Sequence, residues 1–300
     1  MVLSKKLVGA AAKSGRALAR YRGLPFADHA GQCAKAFQQG LDNVNFDMVQ
    51  NGELRVLEII AGMKPKCLFD VGANVGEWSQ LASRLCPDAH IHAFEVVPST
   101  FAELQSNTSA LPAVCANPFG LSDAPGEITI HLGSGGSTDA TACKIEGLAS
   151  HDQLYVKEVR GEVRTGAHYL AKLGIDSIDF LKIDVEGMDL RVIKGFGDGI
   201  RKVRALQFEY GIFNISSHDL LADFCNHLTS HGFLVGKVFP RTVQFFEYDF
   251  AMENFHGSNF VAVRDDEPRL KAALLNRASN EPNALYPRHA NWSGLSNDAE

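Results

Sequence analysis

From residue 66 onward, short apolar runs alternate with stretches of helical period. Apolar runs at 67–71, 91–95 and 113–121 are separated by helical segments to about residue 85 and over about 99–107. The rhythm returns at 178–184, with a helix from about 190, then 203–209, a helix over 217–231, and runs at 233–238, 243–248 and 259–263. Such alternation predicts an α/β fold, a doubly wound and mostly parallel sheet covered by helices. Glu127-Ile128-Thr129-Ile130-His131-Leu132 alternates strictly and predicts an extra strand. Residues 133–162 break the rhythm. They open on Gly133-Ser134-Gly135-Gly136-Ser137-Thr138 and show little periodicity, so a long loop of the kind that covers a site is expected there. Upstream, Phe46, Val49, Leu54, Leu57, Ile60 and Ala61 recur at helical spacing, which extends a helical reading over 26–63 with Gly62 as its stop. Three segments follow: a helical extension at 1–65, a domain at 66–265, and a polar tail at 266–300 in which 268–276 is expected to be helical.

Charge changes the picture at one end only. The 300 residues carry 29 Lys and Arg against 35 Asp and Glu, a net −6. Residues 1–24 hold six cations (Lys5, Lys6, Lys13, Arg16, Arg20, Arg22) and no acid, so the remainder carries −12. On a helical wheel five of these cations fall within an arc of about 100°. Leu3, Leu7, Leu18 and Tyr21 lie opposite. Three readings fit: a helix lying on an anionic membrane surface, a transit peptide, or a helix packed on its own domain or on a partner subunit in a homo-oligomer. No apolar run approaches the roughly 18 residues of a membrane span. No basic, aromatic-laced stripe suggests a nucleic-acid partner. Six cysteines without any Cys-x-x-Cys spacing are expected as small buried hydrophobes, consistent with a reducing, cytoplasmic setting that is peripheral to membrane if the first helix binds it.

Four segments carry the chemistry. In Phe69-Asp70-Val71-Gly72-Ala73-Asn74-Val75-Gly76 an apolar strand ends in an acid, and two glycines then turn the chain into a helix whose N-terminus offers free N–H groups. The dinucleotide pattern would require a middle glycine, absent here, which disfavours a nicotinamide oxidoreductase. The acid before the turn suits a ligand with a cationic amino group, as in S-adenosylmethionine. Glu95 ends the next strand, about 20 residues on, where a carboxylate accepts both ribose hydroxyls. In Gly120-Leu121-Ser122-Asp123, Asp123 is placed to accept from an adenine amino group. In Phe180-Leu181-Lys182-Ile183-Asp184-Val185-Glu186-Gly187, Lys182 and Asp184 share one face of an apolar strand, a costly arrangement that points to an acceptor, proton or cation site at the strand end.

In these four segments, and in Asn259-Phe260-Val261-Ala262-Val263, the sequence resembles the FkbM-type methyltransferases over about 66–264. The resemblance implies a class I, Rossmann-like methyltransferase fold with a seven-stranded sheet, S-adenosylmethionine as cofactor, and O-methylation, commonly of a sugar hydroxyl in a glycan, glycolipid or glycosylated metabolite. Carried over by position, Asp70, Gly72, Asn74 and Gly76 line the methionine end of the cofactor. Glu95 holds the ribose, Ser122 or Asp123 lies near the adenine, and Lys182, Asp184 and Glu186 face the acceptor. Ala167 stands where relatives carry an Asp. Asp184 is the first candidate for the base and Glu209, ending its own strand, the second. His256 precedes the last strand and is a further acceptor-side candidate, with His151 and His168 in the region of the long loop. Asp184, Glu186 and Glu209 together suit Mg²⁺, but no metal is assigned. Competing readings are a non-catalytic scaffold on this fold, and methylation of a protein or another small molecule.

Overall fold

A computed structural model describes residues 2–133, 136–144 and 155–276. Helices α1 (Val2–Ala19), α2 (Pro25–Leu41) and α3 (Glu53–Gly62) precede β1 (Cys67–Val71), α4 (Glu77–Leu85), β2 (His90–Phe94), α5 (Pro98–Thr108) and β3 (Val114–Asn117). Four strands follow, β4 (Gly120–Leu121), β5 (Gly126–Gly133), β6 (Gly136–Thr141) and β7 (Tyr155–Arg164), then α6 (Gly166–Leu173). The chain continues through β8 (Phe180–Ile183), α7 (Asp189–Lys194), β9 (Ala205–Tyr210), α8 (Asn214–Ser217) and α9 (Leu221–Ser230). It closes with β10 (Phe233–Phe239), β11 (Thr242–Phe245), β12 (Ser258–Arg264) and α10 (Pro268–Leu275).

The main sheet has eight strands in the order β11-β10-β12-β9-β8-β1-β2-β3. Strands β3, β2, β1, β8 and β9 are parallel, while β12, β10 and β11 add antiparallel neighbours at one side. The class I arrangement is therefore present with one strand more than expected, the short β11 at the edge. After β1 the chain builds outward through β2 and β3, then returns to lay β8 on the other side of β1. That reversal opens a crevice at the carboxyl ends of β1 and β8, where such sheets bind ligands.

Strand alternation divides the interior into two cores. Phe69, Val71, Leu181 and Ile183 face a core that includes Phe196, Phe208 and Phe224. Leu68 and Phe180 face the other, with Trp78, Val261 and, from α3, Val56, Leu57 and Ile60. Asp70 and Lys182, paired in register, fall on the Leu68–Phe180 face. Burying a Val or Leu side chain contributes about 1.5–3 kcal/mol, so α3 is part of the packed body.

Several expectations need correction. Within 133–162 the described residues are mostly strand, β6 and most of β7, while residues 134–135 and 145–154 of the expected loop lie outside the described residues. With β4 and with β5, which holds the extra strand expected at 127–132, they form a second sheet in the order β4-β7-β5-β6. Charged pairs such as Lys157-Glu158 interrupt the period of two in β7, and the β5–β6 register shifts near Gly133. The single run at 113–121 is two strands in two sheets, because the chain turns at residues 118–119. Helix does not run through 26–63. Residues 42–52 are a non-helical strap, and Phe46 and Val49 on it are exposed. Helix α6, absent from the apolar pattern, is marked by polar signals. The Thr165 hydroxyl accepts from the His168 N–H at 3.2 Å, and Gly174 closes the helix in the left-handed conformation. Cys86, Cys143 and Cys225 are buried as expected, whereas Cys33 and Cys115 are exposed; all six are free thiols. His151 and the polar tail beyond residue 276 lie outside the described residues.

Candidate functional site

A cavity of about 710 Å³ opens at the crevice between β1 and β8. The turn after β1 forms one wall. Gly72 has φ +80, and a Cβ there would fall 1.9 Å from the Asp184 carbonyl oxygen, so only glycine permits the β1 and β8 turns to approach this closely. Asn74, also left-handed at φ 49, donates its N–H to Glu95 Oε2 at 2.9 Å. Glu95 Oε1 accepts from the Val97 N–H at 2.8 Å. Glu95 also lines the cavity. Burial raises its carboxyl, and the N–H groups of Val97, Asn74 and Val96 partly oppose this.

Asp70 and Gly76 lie behind this wall and outside the lining. Asp70 is fully buried, accepts from the Ser79 hydroxyl at 2.7 Å, and has its Oδ1 3.8 Å from Lys182 Nζ with no hydrogen-bond partner. Lys182 in turn donates to Asp184 Oδ2 at 3.1 Å. Burial alone would depress the ammonium, but Asp184, Asp70 and Glu53 outweigh it and hold Lys182 charged.

Beside the glycine turn, at the end of β8, lies an acidic corner. Asp184, Glu186 and Glu209 each bring a carboxylate oxygen within 4.8 Å of the others. Glu186 sits at φ 51, and Thr141 from β6 donates to its carbonyl at 2.8 Å. Burial, reinforced by Asp184, Glu186, Asp189 and Glu53, raises the Glu209 carboxyl well above the ordinary carboxylate range. Asp189, fully buried, accepts the Glu209 N–H at 3.1 Å and leaves Oδ2 without a hydrogen-bond partner.

Sequence reasoning missed the residues that the strap and the first turn of α3 deliver. Phe46, Met48 and Glu53 all line the cavity. Glu53 is fixed by Asn51 Nδ2 at 2.7 Å, Asn259 Nδ2 at 3.0 Å and Gln207 Nε2 at 2.8 Å. Phe46 is 77% exposed, yet it reaches the acidic corner. A Cβ on Gly257 would fall 3.2 Å from both the Phe46 ring and Glu209 Oε1, so a glycine at φ +68 lets ring and carboxylate converge. The second sheet supplies the apolar wall through Ile128, Ile130 and Val163.

Other sequence candidates stand apart from the lining. Ser122 is buried with its N–H on the Arg164 carbonyl at 2.9 Å and its hydroxyl on Asp123 at 3.1 Å, so the pair serves the β4 turn. His256 lies 3.2 Å from Asp42 on the strap. Ala167 and His168 are exposed on the first turn of α6, away from the cavity, so the exchange of Asp for Ala at 167 does not alter the lining.

Asp189 gives a pH prediction. Burial, with Asp184 adding repulsion, raises its carboxyl from 3.8 to about 7. The folded state then holds a proton that the unfolded chain releases near 3.9. The associated stability is complete below that lower value and is lost as pH rises through about 7. Asp189→Asn, neutral throughout, is expected to flatten the fall in melting temperature between about pH 4 and pH 8, as read by calorimetry across that range.

Comparison with known proteins follows the same segments. The methyltransferase FkbM domain family matches residues 70–235. The chain is 26% identical over 152 residues to 2-O-methyltransferase NoeI of Sinorhizobium fredii, covering 48% of this chain and 62% of NoeI. It is 25% identical over 180 residues to the hexuronic acid methyltransferase AglP of Haloferax volcanii, covering 59% and 70%. With 31-O-demethyl-FK506 methyltransferase FkbM of Streptomyces tacrolimicus it shares 30% over 198 residues, covering 56% and 72%. The matched region thus spans less than two thirds of NoeI. A crystal structure of methyltransferase FkbM from Methylobacillus flagellatus aligns with a TM-score of 0.41 at 14% identity, covering 66% of this chain and 44% of that one.

Proposed function

The chain belongs to the methyltransferase FkbM family, and from that membership we propose that it transfers a methyl group from S-adenosylmethionine to a hydroxyl of a sugar-containing acceptor. The observation that carries the reading is the charge pattern of the cavity. Glu53, Glu77, Glu95, Glu103, Asp184 and Glu186 line it, and Lys182 is the one cation among the described lining residues. Such a site favours a cationic ligand. S-adenosylmethionine supplies an electrophilic methyl on a positively charged sulfonium, together with an α-ammonium. Once the methyl has left, the sulfur is neutral, and the acidic wall holds the product less strongly.

The residues divide the work. Glu95, with three of its four lone-pair sites taken by the N–H groups of Val97, Asn74 and Val96, keeps one for a ribose hydroxyl, and the Gly72–Asn74 turn sets its position. Ile128, Ile130 and Val163 offer an apolar surface for the base, in place of Ser122 and Asp123. Asp184 accepts from the Lys182 ammonium at 3.1 Å and is engaged there, so Glu209 with its raised carboxyl is the better proton acceptor for the attacking hydroxyl. Asp184 and Glu186 then orient that hydroxyl by accepting from its neighbours, and the face of Phe46 suits the C–H face of a sugar ring. The family relatives NoeI and AglP, one named for 2-O-methylation and the other for hexuronic acid, support a saccharide acceptor.

The spacing of Asp184, Glu186 and Glu209 also suits the oxygen ligands of Mg²⁺. Proton transfer predicts a rate that EDTA leaves unchanged; a metal role predicts loss restored by Mg²⁺.

The function is tested by incubating the protein with methyl-labelled S-adenosylmethionine and a panel of uronic acid and neutral glycosides. Label is expected in an O-methyl ether of one sugar class. Label on protein or only on non-sugar acceptors would overturn the saccharide reading. Glu95→Ala is expected to weaken cofactor binding about 10–100-fold, the equivalent of about one charge-assisted hydrogen bond, as measured by titration calorimetry.

A further inference from the structure

The acidic body leaves α1 unexplained. From Lys5 through Ala17 every residue of this helix is exposed, so packing on its own domain is not what the structure shows. Its cations are gathered on one side, with Leu7 on the other. The exposed apolar surface continues beyond it. Nine of the seventeen large apolar side chains exposed among the described residues fall between Leu7 and Val49. Tyr21 and Phe26 pair at 5.7 Å where α1 meets α2. On α2, Phe26, Phe37 and Leu41 lie within one arc of about 60° at helical spacing, and all three are exposed. The next exposed aromatic along the chain is Phe46, at the cavity itself.

We propose that α1 and the apolar stripe of α2 form a docking surface for an anionic lipid bilayer, lying in the headgroup region without crossing it. Charge selects this partner. Residues 1–24 carry +6 against −12 in the rest, so the body is repelled by an anionic surface and attraction is confined to α1 and the turn that follows it. The lipid phosphates match the cationic arc, and Leu7, Tyr21 and Phe26 supply apolar and aromatic anchoring at the interface. No helix among the described residues is long and apolar enough to cross a membrane. The surface is independent of the proposed transfer reaction, but it would hold the Phe46 side of the cavity near acceptors that are carried on lipid.

The test uses the full chain and sedimentation with vesicles of phosphatidylcholine, with and without about one third phosphatidylglycerol. Each cation near an anionic surface contributes about fivefold to partitioning. Pelleting is expected with phosphatidylglycerol, not with phosphatidylcholine alone, and is expected to weaken strongly in high salt as the Debye length contracts. Lys5→Glu, Lys13→Glu and Arg16→Glu combined should lower partitioning about a hundredfold or more with an unchanged melting temperature, since α1 is exposed. Phe26→Ser should produce a smaller loss that persists in high salt. Absence of pelleting on phosphatidylglycerol, or pelleting indifferent to the charge reversal, would overturn the proposal. So would a dimer in sedimentation velocity that the same triple variant dissolves while vesicle binding is absent.

Discussion

Glu209→Gln is expected to lower kcat by about two to four orders of magnitude, the usual contribution of a positioned base, while S-adenosylmethionine affinity changes little. The substitution keeps the size of the side chain and removes its ability to take a proton. Glu209 is singled out because burial and four nearby carboxylates raise its carboxyl, whereas Asp184 is committed to Lys182. The pH profile separates this role from a structural one. For the wild type, kcat should rise with pH as the Glu209 proton leaves and then level off, because only the ionised form accepts the hydroxyl proton. Asp184→Asn removes the second-largest cause of the elevation, after burial. Its rising limb should therefore move to lower pH, even as turnover falls through loss of hydroxyl orientation. An unshifted limb would mean that Glu209 does not titrate in the active complex.

Gly72→Ala is expected to cost about 3–5 kcal/mol of stability, from left-handed strain and a backbone collision together, and to abolish measurable cofactor binding. The new Cβ would lie 1.9 Å from the Asp184 carbonyl, a backbone atom that moves only if β8 moves. Separation of β1 from β8 would break the Asp70–Lys182–Asp184 chain and release the Glu95–Asn74 bond that positions the ribose acceptor. Gly62→Ala is the control. No atom lies within 4 Å of the added carbon and the backbone is helical, so it should leave melting temperature and binding unchanged or slightly improved.

The parts of the site that were legible in the sequence are those where charge interrupts an apolar strand. Asp70 and Lys182 stand out in Phe69–Val71 and Leu181–Ile183 because a two-residue period assigns them to one face, and the structure pairs them in register. The glycine turn was legible because positive φ leaves a chemical signature. Glu53, Phe46 and Met48 were not. They reach the cavity from a strap whose course is set by Asn43, which donates to the carbonyls of Asn51 and Val238, a bond across 195 residues that no local pattern encodes. Phe46 and Val49 mislead further, because exposed aromatics at helical spacing imitate a buried helix face. Of the second sheet only β5 is legible, as the alternation at 127–132; β7 is not, since much of it is exposed and carries charge on both faces. Ser122 and Asp123 were placed by position in a pattern, and their side chains satisfy the turn itself.

Titration calorimetry of the purified full chain with S-adenosylmethionine, alongside NADH, tests the central claim most directly. The cavity between the β1 turn and the acidic corner predicts one saturable S-adenosylmethionine site per chain that Glu95→Ala weakens, with no heat from NADH. Absence of S-adenosylmethionine binding, or binding of NADH in its place, would contradict it.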